Sequence, residues 1–421
     1  MERFAIIGFG AAGYAALKAI RECGSDAQID IYSDHDYAPY NPMLTTYYIK
    51  GAIPYEAMFP FGSLEDIAAK YDCAIYKNTE VEDLKASPLS ITTGDGEARC
   101  YDKVLIATGA APVLLPVGDI PAEKLYTMRT VDDARRLKEA FDSGAIRKIL
   151  VIGASWVGIK VVEAAWARGI ECVMADMAEQ IFATSAFEGA SIKCEEYLAE
   201  EGIDSRFGVK ATGGRIGENG RCQVIFSDGS ETEVDAIAVC VGIRPAASFA
   251  DSTIARDKAI IVDNNMKTSA EGVYAAGDVA EGIDMMTGRT RHIGLWANSA
   301  TQGRCAGLAM AGREEPTEGN ILHNITHFLN YNFISFGDKD AEGERRVLVD
   351  EGSRYIEILH RDGKLYCINM LGDYELSGAV KNCIIKYFSK GTAELNELEL
   401  GVIAKSGLPN ELIRILGGMV K

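Results

Sequence analysis

Four apolar residues, Phe4-Ala5-Ile6-Ile7, run into Gly8, Gly10 and Gly13 at G-x-G-x-x-G spacing, and the small, helix-favouring run Ala11–Ala19 follows at once. An unbroken apolar run bounded by glycine predicts a buried parallel strand, and the residues after it predict a helix packed on that strand. The theme returns at Lys148–Gly169 (KILVIGASWVGIKVVEAAWARG), where a strand over Ile149–Ile152 leads into Gly153, Ser155 and Gly158 and then a helix. Other apolar runs predict strands at Gln28–Tyr32, Tyr101–Ala107, Glu171–Ala175, Asp235–Val241 and Gly272–Ala276, and a helix at Leu295–Leu308. A short β segment closes at Glu80-Val81, and Asp36–Gly51, rich in proline and aromatics, reads as a loop and short helix. From about Pro316 the period changes. Alternation at Arg345–Val349, Tyr355–His360 and Lys364–Leu371 predicts an antiparallel sheet, followed by helices at Val380–Phe388 and Leu412–Leu416.

In the first glycine run, Gly8 suits the tight turn, Gly10 lets a pyrophosphate approach the backbone, and Gly13 lets helix and strand pack closely. A phosphate there would meet the free N–H groups and positive dipole end of the helix. Taken alone, the spacing equally describes a glycine-rich turn with no ligand. The second run changes that balance. Its middle glycine is Ser155, a small residue that still admits a phosphate and can donate its hydroxyl. Asp176, eighteen residues after Gly158, would accept both hydroxyls of an unphosphorylated ribose. No arginine follows directly to welcome a 2′-phosphate, which favours NADH over NADPH. In the first unit the ribose contact falls to Ser33 or Asp34, about twenty residues past Gly13. Two such units predict two bound dinucleotides. Asp278, after Gly277, is either a turn residue or helix N-cap, or an acceptor for a ribityl chain facing the pyrophosphate.

Length and charge narrow the class. At 421 residues the chain has room for roughly two to four domains. A formal charge of −18 argues against nucleic acid or an anionic membrane as partner. No apolar run reaches the ~18–20 residues that span a bilayer, and Met1-Glu2-Arg3 enters the first strand without a leader, so a cytoplasmic protein is expected. The ten cysteines show no C-x-x-C or C-x-x-x-x-C spacing, and the five histidines are scattered, so no metal site is expected. Redox chemistry must then come from a bound organic cofactor.

In this order the motifs GFGAAG (8–13), ATGAAP (107–112), GASWVG (153–158), VGIRP (241–245) and AAGDV (275–279) resemble those of the FAD-dependent pyridine-nucleotide oxidoreductases with two dinucleotide-binding domains. The C-terminal third, including HRDGKLYCINMLGD at 360–373, is similar to that of rubredoxin reductases and the nitrite reductase large subunit. The resemblance implies an α/β protein with two Rossmann-like, three-layer dinucleotide-binding domains of the glutathione-reductase kind and a C-terminal α+β interface or dimerisation domain. The implied domains are a discontinuous FAD domain (1–113 and 248–316), an NAD domain (114–247) and the interface domain (317–421). Carried over by motif, Gly8, Gly10, Ala12 and Gly13, with Ser33 or Asp34, hold FAD, and Val81 contacts its adenine through the backbone. The flavin side is lined by the Asn41-Pro42-Met43 loop, Thr108, Gly109, Arg129, Gly277, Asp278, Trp296 and Ala297. Gly153, Ser155, Trp156, Val157, Gly158, Asp176 and Gly242 serve NAD(H).

Two departures from the family pattern matter. Disulfide reductases and NADH oxidases of the family carry a redox cysteine in the loop after the second strand, and here Met43 stands about there. A thioether forms neither thiolate nor disulfide, so dithiol, persulfide and cysteine-peroxidase chemistry is not expected. Where many relatives carry a glutamate near the nicotinamide–flavin contact, this chain has Lys160. It is either a solvent-facing helix residue or a positive charge that favours the anionic reduced flavin. The implied activity is NAD(H):acceptor oxidoreduction through FAD, with hydride passing between nicotinamide C4 and flavin N5. The implied partner is an iron–sulfur protein or a cluster-bearing subunit, because flavin joins two-electron donors to one-electron acceptors. The loop around Met43 is also similar to that of NADH-reactive FAD subunits of phenylglyoxylate-dehydrogenase-type complexes. A free-standing NADH oxidase or small-molecule reductase, and a non-catalytic redox-sensing flavoprotein, are the alternatives. Either a homodimer or a hetero-oligomeric complex is compatible with this reading.

Overall fold

A computed structural model describes residues 1–391 and 397–418. Its main elements begin with β1 (Arg3–Ile7), α1 (Ala11–Glu22), β2 (Gln28–Tyr32), α2 (Leu44–Lys50), β3 (Ala74–Tyr76) and β4 (Lys103–Ile106). There follow β5 (Lys148–Ile152), α3 (Trp156–Trp166), β6 (Glu171–Ala175), β7 (Asp204–Arg206), β8 (Ala236–Val239), β9 (Val273–Ala275) and α4 (Trp296–Met310). The C-terminal part contains β10 (His323–Phe328), β11 (Tyr331–Gly337), β12 (Glu344–Glu351), β13 (Arg354–Arg361), β14 (Lys364–Leu371) and α5 (Ser377–Lys390).

One compact unit combines Met1–Leu44, Ile53–Ala111 and Ile243–Asn320. Its parallel sheet has the order β9-β4-β1-β2-β3, with Ile6 of β1 registered between Ile31 and Leu105. The strand side chains alternate between two covers, which is why Phe4–Ile7 of β1 are all apolar. Phe4 and Ile6 pack with Ala12, Ala16 and Leu17 of α1 and Cys305 and Ala309 of α4. Ala5 and Ile7 pack with Val81, Leu84 and Ile91. Those three belong to an antiparallel sheet, Val81–Ala86, Leu89–Thr93 and Ala98–Cys100; the sequence reading closed a β segment at Val81, where the first of these strands begins. Helices α1 and α4 meet through small residues: a Cβ on Gly303 would lie 2.2 Å from the Ala12 carbonyl oxygen, and one on Gly307 2.4 Å from that of Ala16.

The other unit combines Thr45–Ala52, Pro112–Gly242 and the chain from Ile321 onward. Its parallel sheet runs β7-β6-β5-β8 and ends on the short strand Leu125–Tyr126. Leu150 and Ile152 face Val224 and Phe226 of a second three-stranded antiparallel sheet. Ile149 and Val151 face a core shared with Phe328, Phe333 and Tyr355 of the C-terminal strands. Those strands form the expected antiparallel sheet, in the order β10-β11-β14-β13-β12. Phe333 stacks on Trp156 with centroids 5.1 Å apart and rings 4° from parallel. Among the described residues no helix is long and apolar enough to cross a membrane, and no cluster of His, Cys, Asp or Glu is placed to hold a metal ion.

Candidate functional site

In the first unit β1 lies between β2 and β4, so the chain leaves on one side of β1 and returns on the other. That reversal opens a crevice beyond the carboxyl ends of the strands, where dinucleotides bind in open α/β sheets. The glycine turn sits there. Gly8 has φ +94°, and a Cβ on it would lie 2.4 Å from the Ala107 carbonyl oxygen. A Cβ on Gly13 would lie 2.3 Å from the Gly8 carbonyl oxygen, so α1 presses directly on the turn. At Gly10 a Cβ would meet nothing within 4 Å among the described residues. Helix α1 has no side-chain N-cap and no acid in its first turn. Its start is an open cradle of backbone N–H groups with a positive dipole, and it fits a pyrophosphate.

Around that cradle the structure sorts the other sequence-derived residues. Ser33 is buried with its hydroxyl 2.9 Å from His35 Nδ1, whereas the Asp34 side chain is 73% exposed. Of the two, Asp34 is the acid presented outward. Val81 is buried at the head of its strand. Thr108 donates its hydroxyl to the Ala246 carbonyl at 2.6 Å, and Gly109 takes φ +68°. Asp278 accepts from Ser299 Oγ at 3.2 Å. Buried Gln302 accepts the Gly277 N–H and donates to the Glu281 carbonyl, both at 2.8 Å. Ser299 and Gln302 were missed from sequence; their signal is two polar residues three apart on a helix face of small residues. Trp296 and Ala297 start α4, and the buried Trp296 Nε1 has no hydrogen-bond partner among the described residues. A buried donor left unpaired costs about 1–3 kcal/mol, so a ligand acceptor would relieve it. In the loop before α2, Asn41 Oδ1 accepts the Met43 N–H at 3.0 Å, and Met43 is 57% exposed.

The second unit repeats the plan with different capping. Gly153 has φ +111°, and its Cβ would lie 2.4 Å from the Cys240 carbonyl oxygen. A Cβ on Gly158 would lie 1.9 Å from the Gly153 carbonyl oxygen. Ser155 caps α3: its hydroxyl accepts the Gly158 N–H at 3.3 Å and lies 3.2 Å from the Cys240 carbonyl, to which it donates. The hydroxyl that the sequence offered to a phosphate is therefore directed at backbone. Trp156 is likewise turned inward, between Phe182 and Phe333, with its indole N–H on Ser185 Oγ at 3.0 Å. Val157 is exposed. Asp176 accepts from Ala154 N–H at 2.6 Å through one oxygen and from Ala178 N–H at 2.9 Å through the other, so it braces the glycine turn. Each oxygen keeps a second lone pair for a ribose hydroxyl. Gly242 is exposed with φ +126° and accepts from the Val113 N–H. Arg129 belongs to this unit, where its N–H donates to Asp133 Oδ2 at 2.9 Å beside the Thr130–Asp133 capping box.

Lys160 is not a solvent-facing helix residue: its side chain is only 15% exposed. It pairs with Glu163, donates to the His327 carbonyl at 2.8 Å and lies over the Tyr47 ring. Lys50 holds the same buried Glu163 at 2.6 Å, and Tyr47 lies 2.8 Å from His327 Nε2. Burial lowers the Lys160 ammonium from its ordinary value; Glu163 opposes that shift and Lys50 adds to it. Nothing in the spacing of residues 47, 50, 160, 163 and 327 announces this cluster, because three segments remote in sequence build it.

Two glycine turns at strand-order reversals, each feeding a helix start, define a protein built to bind two dinucleotides. The chain belongs to the pyridine nucleotide-disulphide oxidoreductase family, whose model matches residues 2–303. It is an oxidoreductase with FAD and NAD(H) as cofactors. It is 26% identical to an NADH oxidase of Methanocaldococcus jannaschii, over 93% of this chain and 92% of that one. It is 27% identical to the NADH-dependent phenylglyoxylate dehydrogenase subunit epsilon of Aromatoleum evansii, over 91% of each. Its fold matches that of NADH:rubredoxin oxidoreductase from Clostridium acetobutylicum with a TM-score of 0.74 at 21% identity, covering 96% of this chain and 99% of that one.

Proposed function

We propose that this protein passes electrons between NAD(H) and an iron–sulfur protein, or a cluster-bearing subunit of a larger oxidoreductase, without a redox dithiol. The observation that carries the reading is Met43, exposed in the loop where dithiol members of the family place a reactive cysteine. FAD would supply the chemistry that joins a two-electron donor to one-electron acceptors. The chain's own residues bind and orient. Gly8, Gly10, Ala12 and Gly13 would seat the FAD pyrophosphate at the bare start of α1, with Asp34 at the ribose. The turn Gly153–Gly158 and Asp176 would seat NAD(H), and Lys160 would act through its charge rather than as a proton donor. The likeness to the phenylglyoxylate dehydrogenase epsilon subunit supports the subunit form of the reading. The likeness to an NADH oxidase favours a second reading, a free-standing enzyme that reduces oxygen. Either form would work in the cytoplasm.

The test compares NADH oxidation by the purified holoprotein with ferredoxin or rubredoxin as acceptor, anaerobically, against oxygen alone, together with identification of whatever co-purifies with the native protein. Brisk oxygen turnover with no iron–sulfur acceptor would overturn the reading. Met43→Ala leaves NADH-to-dye turnover within about an order of magnitude of wild type, since no covalent step runs through the thioether; loss of turnover would return a chemical role to that loop. Asp176→Ala weakens NADH binding by about 1–3 kcal/mol through lost charge-assisted hydrogen bonds, while flavin content is unchanged. Because the same carboxylate holds the Ala154 and Ala178 amides, the melting temperature falls too. Titration of NADH against each protein measures the first effect, and unaltered affinity refutes the assigned ribose site.

A further inference from the structure

In the second unit the C-terminal sheet ends on β12, and no strand among the described residues pairs with the outer edge of Glu344–Glu351. After Glu344 that strand reads two arginines, three apolar residues and two acids, and Val347 near its centre is 52% exposed. Charge on an edge strand normally guards it against pairing. Here the charges are opposite in sign on either side of an apolar centre, and a strand of that pattern attracts an antiparallel copy of itself. Strict alternation would put Arg345 and Asp350, five residues apart, on opposite faces of the sheet. A bulge between Val347 and Val349 inserts Leu348 and shifts the register by one. Both side chains accordingly meet the same helix, Glu188–Glu200. The Arg345 guanidinium lies 5.8 Å from the ring centre of Phe187, the cap of that helix, and Asp350 pairs with its Lys193 at 2.8 Å. Arg346 is turned elsewhere, onto Glu411 at 2.7 Å.

We propose that the outer edge of β12 is a self-pairing surface whose partner is a second copy of this chain. The copy lies antiparallel, about a two-fold axis between Val347 and Leu348, and joins the two five-stranded sheets into one. In that register Arg345 of each copy stands opposite Asp350 of the other on the same face, and Arg346 stands opposite Val349. Val347 and Leu348 meet across the axis, which takes the exposed valine out of water. Glu344 and Glu351 also fall opposite each other. Arg346, 2.8 Å from Glu344 in its own chain, lies diagonally beside Glu351 of the other copy and offsets that repulsion. Main-chain groups along the edge supply the hydrogen bonds, and the charge pattern fixes direction and register.

The test is sedimentation of the full-length holoprotein over a dilution series, in which the wild type dimerises. Arg345→Asp and Asp350→Arg, made separately, each turn both symmetric contacts from opposite to like charge and weaken the dimer at least about tenfold. Mixed in equal amounts, the two variants recover most of that loss, because every contact again joins a carboxylate to a guanidinium. Backbone amides of Glu344–Glu351 also exchange hydrogen more slowly in concentrated than in dilute wild-type protein. The proposal fails if the wild type stays monomeric, if it dimerises with a strength that neither variant changes, or if the mixture is no tighter than the variants alone. Where a variant does not fold, the exchange measurement decides: rates over Glu344–Glu351 that do not depend on concentration overturn the pairing.

Discussion

Gly10→Ala leaves the protein folded and weakens its hold on flavin. Gly10 has φ −87°, an ordinary angle for alanine, and the added methyl meets nothing within 4 Å among the described residues. The neighbour it would meet is whatever sits on the N–H groups at the start of α1. Forcing a methyl into a filled contact costs about 1–3 kcal/mol, which is roughly 5- to 150-fold in affinity. Gly8→Ala behaves differently, because its Cβ would lie 2.4 Å from the Ala107 carbonyl oxygen in a turn that already has positive φ. That variant loses stability before it loses ligand. The measurement is the visible absorbance of bound flavin set against the melting temperatures of the cofactor-free proteins; comparing apo forms matters because a bound cofactor stabilises by mass action. Wild-type flavin affinity in Gly10→Ala would remove the pyrophosphate from this turn.

Glu163→Gln produces the largest loss of stability. The Glu163 side chain is 2% exposed and is held by Lys160 and Lys50, at 15% and 30%. Taking away the carboxylate charge leaves two cations facing each other in a poorly hydrated place, and removal of one partner from a buried ion pair costs about 3–5 kcal/mol. Partial exposure of Lys50 puts the expectation at the lower end, roughly 3 kcal/mol. Adding Lys160→Met removes the worse-hydrated cation and restores more than half of the loss. Denaturant midpoints of the two single variants and the double variant close the cycle. If Glu163→Gln is as stable as wild type, the cluster contributes nothing to the second unit.

What could be read along the chain was local. A run such as FAII followed by glycine and small residues can do little other than form a strand, a turn and a helix, because only glycine tolerates the angle at Gly8 and the contact at Gly13. The two parallel strands with their turns, the C-terminal alternation and the family motifs were therefore visible as text. The antiparallel sheet from Val81 to Cys100 was less so, since its strands are short and partly exposed. Asp30, a charged residue inside an apolar strand, makes sense only once Arg3 and Tyr101 are seen around it at 3.2 and 2.9 Å.

By itself the sequence determined the strand–glycine–helix turns, their number and order, and the absence of a cysteine near residue 43, because each depends on the sterics and chemistry of adjacent residues. Only the tertiary structure decided where the polar side chains point: Ser155 to backbone, Trp156 into an aromatic stack, Ser33 to His35, Lys160 onto a glutamate shared with Lys50. A side chain's partner is set by segments that arrive from far along the chain, and burial makes the choice binding, since a polar group removed from water must find its match among whatever has been folded against it.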